Sequence, residues 1–300
     1  MRCLKRRGLR SCRQDRVYYA LCYTFISVLT LSVLYPIVYI ISASFSSGAA
    51  IAAGRVWLFP VEFSLRGYQA VLKYDNVWIG YRNTIFYAVV GTMVNVAMTL
   101  ICAYPLSRKN LRGRKWISLL FTFTMIFSGG MIPGYMLVKQ LNMVNTVWAM
   151  LIPGAMSIYN MIVTRTFLQT TISNYLLEAA KIDGCSDFRF FFLIVLPLSK
   201  AVIAVIALFY AVGHWNAYFN AFLYLTDKNL YPLQIFLKDI LVQNQFSADL
   251  VDPEIVAEMQ NMQAILKYSM IIVSTVPLFC FYPFTQRHFV KGVMIGSVKE

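Results

Sequence analysis

No charged residue stands between Val17 and Phe45, and Asn83–Leu106, Trp116–Val138 and Asn145–Thr164 are uncharged in the same way. A helix needs about 20 mainly apolar residues to cross the hydrocarbon core of a bilayer, and each run meets that length. Phe190–Thr226 is interrupted only by Lys200 and His214, which places a further span at about 198–225, and Tyr268–Gln286 supplies another. The pattern predicts an all-α membrane protein with six transmembrane helices. Only 13% of its 300 residues are charged, about half the share usual in a soluble domain.

Pro36, Pro105, Pro133, Pro153, Pro197, Pro277 and Pro283 fall within or at the ends of these runs. Inside a bundle, neighbouring groups bond the carbonyls that proline frees, so kinks are tolerated. Ser128-Gly129-Gly130 and Ile132-Pro133-Gly134 predict a break in the third run, with 130–145 as a short surface helix or a re-entrant piece.

Orientation follows from where Lys and Arg lie. With the N-terminus inside, 19 of the 27 basic residues fall on the inner side and 8 on the outer, while the 13 acidic residues divide five and eight. This N-in/C-in layout puts both termini and the 171–197 connection in the cytoplasm. The net charge of +14 would suit nucleic acid, but the basic residues flank apolar runs, so they set topology and no nucleic-acid partner is expected. Residues 1–16 read as a basic cytoplasmic tail, 17–288 as one transmembrane domain and 289–300 as a C-terminal cytoplasmic tail. The first apolar run is about twice the 7–15 residues of a secretory signal, so it reads as an uncleaved anchor in the plasma or inner membrane.

The six cysteines show no metal-like spacing, and His214 and His288 are far apart. No metal site is expected. Walker A, GxSxG and HExxH patterns are absent from the sequence, so the usual equipment for ATP hydrolysis or metal catalysis is missing. Any energy source must lie on another chain, and the protein is not expected to be an enzyme.

The 171–197 segment reads as helix, turn, helix. Ser173 or Asn174 can cap a first helix, Leu176–Ile182 holds strong helix formers, and Gly184 suits a left-handed or closely packed position. Ala179 and Ala180 leave a face that another surface could approach, with Glu178 and Asp183 beside it. An amphipathic loop on lipid headgroups fits the same composition. Glu178-Ala179-Ala180, then Gly184, then Ile194, Leu196 and Pro197 reproduce the EAA-x3-G-x9-I-x-L-P loop, and here the chain resembles the permeases of binding-protein-dependent ABC importers. The ending Tyr282-Pro283-Phe284, Gln286-Arg287, Phe289-Val290-Lys291-Gly292 and Gly296-Ser297-Val298-Lys299, with Trp215-Asn216-Ala217-Tyr218, is similar to the maltose-permease type within that family. Cys185 and Lys200-Ala201 depart from its common pattern at positions that do not define it.

The resemblance implies a type I ABC importer permease fold and a heteromeric assembly. Its partners would be a second homologous permease, two cytoplasmic ATPase subunits, an extracellular or periplasmic sugar-binding protein and membrane lipid. ATP and Mg2+ would be held by the ATPase, with no cofactor on this chain. Glu178, Ala179, Ala180, Asp183, Gly184, Ile194, Leu196 and Pro197 would form the loop that couples ATPase closure to alternating access. The cargo would be a carbohydrate, with oligosaccharides favoured and glycerol-phosphate-type solutes as the alternative. A self-sufficient secondary transporter is the competing class, and it normally carries carboxylates inside the membrane; the six runs hold none.

Sugars bind through aromatic faces and amide or hydroxyl groups in a cavity. His214, Trp215, Asn216, Tyr218, Asn220 and Tyr224 gather towards the outer end of the fifth run, and Asn95 lies in the second. On one helix, Asn216 and Asn220 would share a face while Tyr218 and Asn220 would not. Helix-to-helix hydrogen bonding and an interfacial aromatic belt account for the same residues. The resemblance implies that the acidic connection 227–263 reaches towards the binding protein; a solvated loop with no fixed partner fits the same residues.

Overall fold

The computed structural model describes residues 13–242 and 253–295, and all regular structure among them is helical. The helices are α1 (Arg13–Ser44), α2 (Gly48–Ala52), α3 (Arg66–Lys73), α4 (Asp75–Ser107), α5 (Arg114–Ile126), α6 (Met131–Gln140), α7 (Trp148–Leu151) and α8 (Ile158–Thr171). They continue as α9 (Asn174–Ile182), α10 (Asp187–Leu198), α11 (Lys200–Trp215), α12 (Tyr218–Tyr224), α13 (Leu233–Val242) and α14 (Pro253–Ile295). Most of the basic tail, the middle of the 227–263 connection and Gly296–Lys299 of the C-terminal pattern lie outside the described residues.

Three helical stretches are long and apolar enough to cross a membrane, Asp15–Ser44, Asp75–Ser107 and Glu258–Cys280. Two bent pairs raise the number to five: α5 with α6, turned by 112°, and α10 with α11, turned by 78°. The first bend is the expected one. Phe127 is extended and Gly130 sits at φ +88, a conformation glycine adopts at little cost. The 145–164 run differs from a single helix, because it divides into α7 and α8, of 4 and 14 residues. Pro153 has no N–H to continue the first piece, Gly154 turns at φ +78, and the Ser157 hydroxyl caps α8 by accepting from the Asn160 amide.

The chain packs as two compact units. In the first, which takes in the chain up to Ala70 and α14 up to Ile272, serines at and just after the end of α1 fasten the turn that follows. Ser42 Oγ donates to the Leu58 carbonyl at 2.6 Å, and Ser46 Oγ accepts from the Val61 amide at 3.0 Å. Gly48 opens α2 directly against α14: a Cβ there would stand 2.3 Å from the Asn261 carbonyl oxygen. Ala43, Ala50 and Val56 form the small core of this unit, with Tyr39 and Tyr268 packed on it.

The second unit, Val71 onward with α14 from Val273, is organised by α4. Val77, Gly80, Thr84, Tyr87, Gly91, Asn95 and Thr99 are buried, and their three- and four-residue spacing makes one stripe on the helix. Apart from Val77 and Tyr87, the stripe is made of small and polar residues, as expected where helices meet in lipid. A Cβ at Gly80 would touch the Leu233 backbone, and one at Gly91 would stand 2.4 Å from the His214 ring. The upper stripe also holds the 229–233 segment. Asn83 Nδ2 donates to the Asn229 and Tyr231 carbonyls at 2.6 and 3.0 Å, Tyr87 OH donates to the Leu230 carbonyl at 2.9 Å, and Thr84 Oγ1 accepts from the Leu233 amide at 2.8 Å. Thus the start of the acidic connection is fastened to α4. Asn83→Leu strands two carbonyls at a cost of about 1–3 kcal/mol. The expected readout is earlier thermal unfolding and faster proteolysis within 227–233, and unchanged cleavage there would contradict the anchoring role.

Candidate functional site

The 171–197 segment folds as its residue types demand. Ser173 Oγ accepts from the Leu176 amide at 3.3 Å and starts α9. The helix closes with two bonds, from the Gly184 amide to the Lys181 carbonyl at 3.1 Å and from the Cys185 amide to the Ala180 carbonyl at 2.9 Å. Gly184 stands at φ +73, completing a Schellman ending. Ser186 Oγ then accepts from the Arg189 amide at 3.3 Å and opens α10. Within α10, residues Phe191–Val195 form a single π turn.

The two sides of this loop differ. Ala180, Phe190 and Val195 are buried against Ala103 and Leu106 of α4, Met161 and Leu168 of α8, and Ile172, with Leu177, Phe191 and Ile194 packed around them. The other side carries Tyr175, Ile182 and Phe188, which are 82%, 87% and 79% exposed. Glu178, Ala179, Asp183, Gly184 and Pro197 are exposed as well, and Leu196 is half-buried. Of the two small residues, Ala180 therefore faces its own bundle and Ala179 the open side. A Cβ at Gly184 would meet nothing within 4 Å in this chain, so here the turn alone explains the glycine. Lys181 Nζ lies 3.4 Å from Asp187 Oδ1, an exposed pair of little energetic weight.

Beneath the loop sits a cation whose place by charge counting is only to set topology. Arg108 is buried, 5.1 Å over the Tyr104 ring, with Nη1 donating to the Ile172 carbonyl at 3.4 Å. Its Nε and Nη2 find no partner among the described residues. Burial lowers the Arg108 pKa, and Tyr104 works in the opposite direction.

The suggested substrate residues do not form one patch. α11 ends at Trp215, and Asn216 and Ala217 break the chain before α12. The helical argument that put Asn216 and Asn220 on one face therefore does not hold. Asn216 Nδ2 bonds back to the Val212 carbonyl at 2.9 Å, and Asn220 is exposed. Trp215 is buried with Nε1 donating to the Ser274 carbonyl at 3.1 Å, while Tyr218 stacks on Phe222. Asn95 is buried, with Oδ1 3.4 Å from His214 Nε2 and Nδ2 donating to the Gly154 carbonyl at 3.4 Å. One turn along, Thr99 Oγ1 and Tyr210 OH lie 2.7 Å apart, and Tyr210 OH accepts from the Ser157 amide at 3.0 Å. Thr99, Tyr210 and Ser157 went unremarked in the sequence; the signal for Thr99 was its place four residues beyond Asn95.

Residues 77–295 match the family described as the binding-protein-dependent transport system inner membrane component. This chain belongs to that family. It is a transport permease component rather than an enzyme. It is 38% identical over 287 residues to the polygalacturonan/rhamnogalacturonan transport system permease protein YtcP of Bacillus subtilis, covering 95% of this chain and 99% of YtcP. It is 41% identical over 267 residues to protein LplC of the same organism, covering 88% of each. Among solved structures, a bacterial ABC transporter involved in import of the acidic polysaccharide alginate superposes with a TM-score of 0.84 at 34% identity, covering 93% of this chain and 99% of that one. The expected all-α importer-permease fold is therefore the fold of the protein.

Proposed function

We propose that this chain is one permease subunit of an ATP-driven importer of oligosaccharides, with 178–197 as the loop that an ATPase moves. The observation that carries this reading is the two-sidedness of the loop. Ala180, Phe190 and Val195 root it in the bundle, while Glu178, Ile182 and Phe188 stand free on the other side. A force applied to the exposed side is passed through packed side chains to α4 and α8. Glu178 supplies a carboxylate for a charge-assisted bond to a basic group on the ATPase. Closure of two ATPases, which hold ATP and Mg2+, then swings the helices between inward-open and outward-open states.

The proposed layout keeps one permease domain over 17–288 with six crossings and both termini in the cytoplasm of the cell membrane. The fourth crossing is then built from α7, the Pro153-Gly154 turn and α8. A second homologous permease, two ATPase subunits and an external sugar-binding protein complete the assembly, with lipid around it. The cargo class rests on relatives named for polygalacturonan/rhamnogalacturonan transport and for alginate import. A small solute of the glycerol-phosphate kind is the alternative, and Asn95, Trp215, Asn216, Tyr218 and Asn220 are the pathway residues to test.

Vesicles holding the full assembly should take up labelled oligogalacturonides only with ATP inside and binding protein outside. Gradient-driven uptake by this chain alone would instead establish a secondary transporter. Uptake of glycerol phosphate but no oligosaccharide would remove the cargo assignment while leaving the coupling intact.

A further inference from the structure

Between the start of α5 and α8 lies a cavity of about 790 Å³ whose lining includes Lys109, Arg114, Lys115 and Arg165 and no acidic residue. None of the four forms an ion pair among the described residues. Arg165 Nη1 donates to Ser118 Oγ at 3.1 Å. With its amide turned so that the oxygen faces the guanidiniums, Gln169 accepts from Arg114 Nη2 at 2.5 Å and Arg165 Nε at 3.2 Å. These neutral partners leave the charges uncompensated. Arg114 and Arg165 both reach the one Gln169 oxygen, so an anion between them relieves a like-charge repulsion.

The surroundings distinguish a lipid from a soluble anion. Beyond its basic first turn, α5 is apolar along Trp116–Ile126 and buries no residue. Trp116, which lines the cavity, is 77% exposed, and Leu119 and Leu120 are exposed beside it. A cationic recess thus leads onto an open apolar helix, which matches a phosphate group joined to acyl chains. A free phosphate would use the recess and leave the apolar wall idle. We infer that this cavity binds the headgroup of an anionic phospholipid, whose chains lie along α5. Basic pockets between membrane helices are suited to such headgroups. The binding does not depend on the proposed cargo or on ATPase coupling; only the leaflet follows from the proposed orientation.

The test uses the assembled transporter in nanodiscs of mixed phosphatidylglycerol and phosphatidylcholine, transferred to detergent, with retained lipid measured by mass spectrometry. The wild type should retain phosphatidylglycerol in preference to phosphatidylcholine. Each removed charge should lower that retention about fivefold, so Arg114→Gln with Arg165→Gln should lower it about 25-fold. Lys109→Gln with Lys115→Gln, at exposed positions, provides a second pair that leaves the Gln169 contacts untouched. Inorganic phosphate at millimolar concentration should not displace the lipid. Equal retention by wild type and both pairs overturns the inference. Displacement by phosphate alone does so too, assigning the recess to a soluble anion. Protection of the cavity by another subunit, with no lipid retained by the wild type, also overturns it.

Discussion

Glu178→Lys is expected to abolish ATP-driven uptake while the chain still reaches the membrane and assembles with the second permease. Glu178 is exposed on α9 and takes no part in the core formed by Ala180, Phe190 and Val195, so reversal of its charge leaves this fold intact. At a docked surface the reversal replaces a charge-assisted bond with repulsion, a loss of about 3 kcal/mol or more. That is roughly a hundredfold in the fraction of engaged loops. Uptake and co-purification of the ATPase are the two readouts, and normal values for both would end the coupling assignment. Gly184 supports a companion comparison. Gly184→Asn accepts the φ of +73 with little strain, whereas Gly184→Val does not. Rescue by asparagine alone means that only the turn matters. Loss with both means that a partner packs onto that glycine.

Gly48→Val should strongly destabilise the first unit. Its Cβ would stand 2.3 Å from the Asn261 carbonyl oxygen and 2.7 Å from the carbonyl carbon. Both are backbone atoms of α14, so no side-chain rotation relieves the clash. Overpacking of this kind costs about 3 kcal/mol, which lowers Tm by about 5 °C for a chain of this length. Gly213→Ala is the control, because nothing lies within 4 Å of its added Cβ and alanine is the better helix former. Thermal unfolding of the purified assembly separates the two. Equal Tm values for Gly48→Val and wild type would show that α2 yields without resistance.

Much of the loop was readable from residue types, because its determinants are local. Ser173 caps, Gly184 turns left-handed, and the helix formers between them need nothing distant. The broken 145–164 run was harder. Its hydropathy is that of a span, but the Pro153-Gly154 turn divides it, and lipophilicity carries no information about backbone continuity. The Asn216–Asn220 pairing failed for the same reason, since a helical wheel assumes a helix that Asn216 and Ala217 interrupt. The packing face of α4 was hidden because the helix is apolar nearly all round. Its buried stripe is marked by Gly80, Gly91, Thr84, Asn95 and Thr99 as much as by the large residues Tyr87 and Leu106.

The π turn at Phe191–Val195 has a consequence for spacing. Phe190 and Val195 are both fully buried, yet five residues apart on an α-helix they would stand about 140° from each other. A turn closed by i→i+5 bonds carries one extra residue and returns them to the same side. The nine residues between Gly184 and Ile194 thus include a one-residue insertion relative to a regular helix. Deleting Leu193 would close the π turn into ordinary helix and leave Phe190 and Val195 four residues apart, within about 40° of each other. Inserting a residue would instead rotate everything after it by about 100° and turn Ile194 and Val195 out of the bundle. The gap between the two halves of this motif is a unit of length with one residue of slack, so substitutions within it and loss of that residue should be tolerated far better than an added residue.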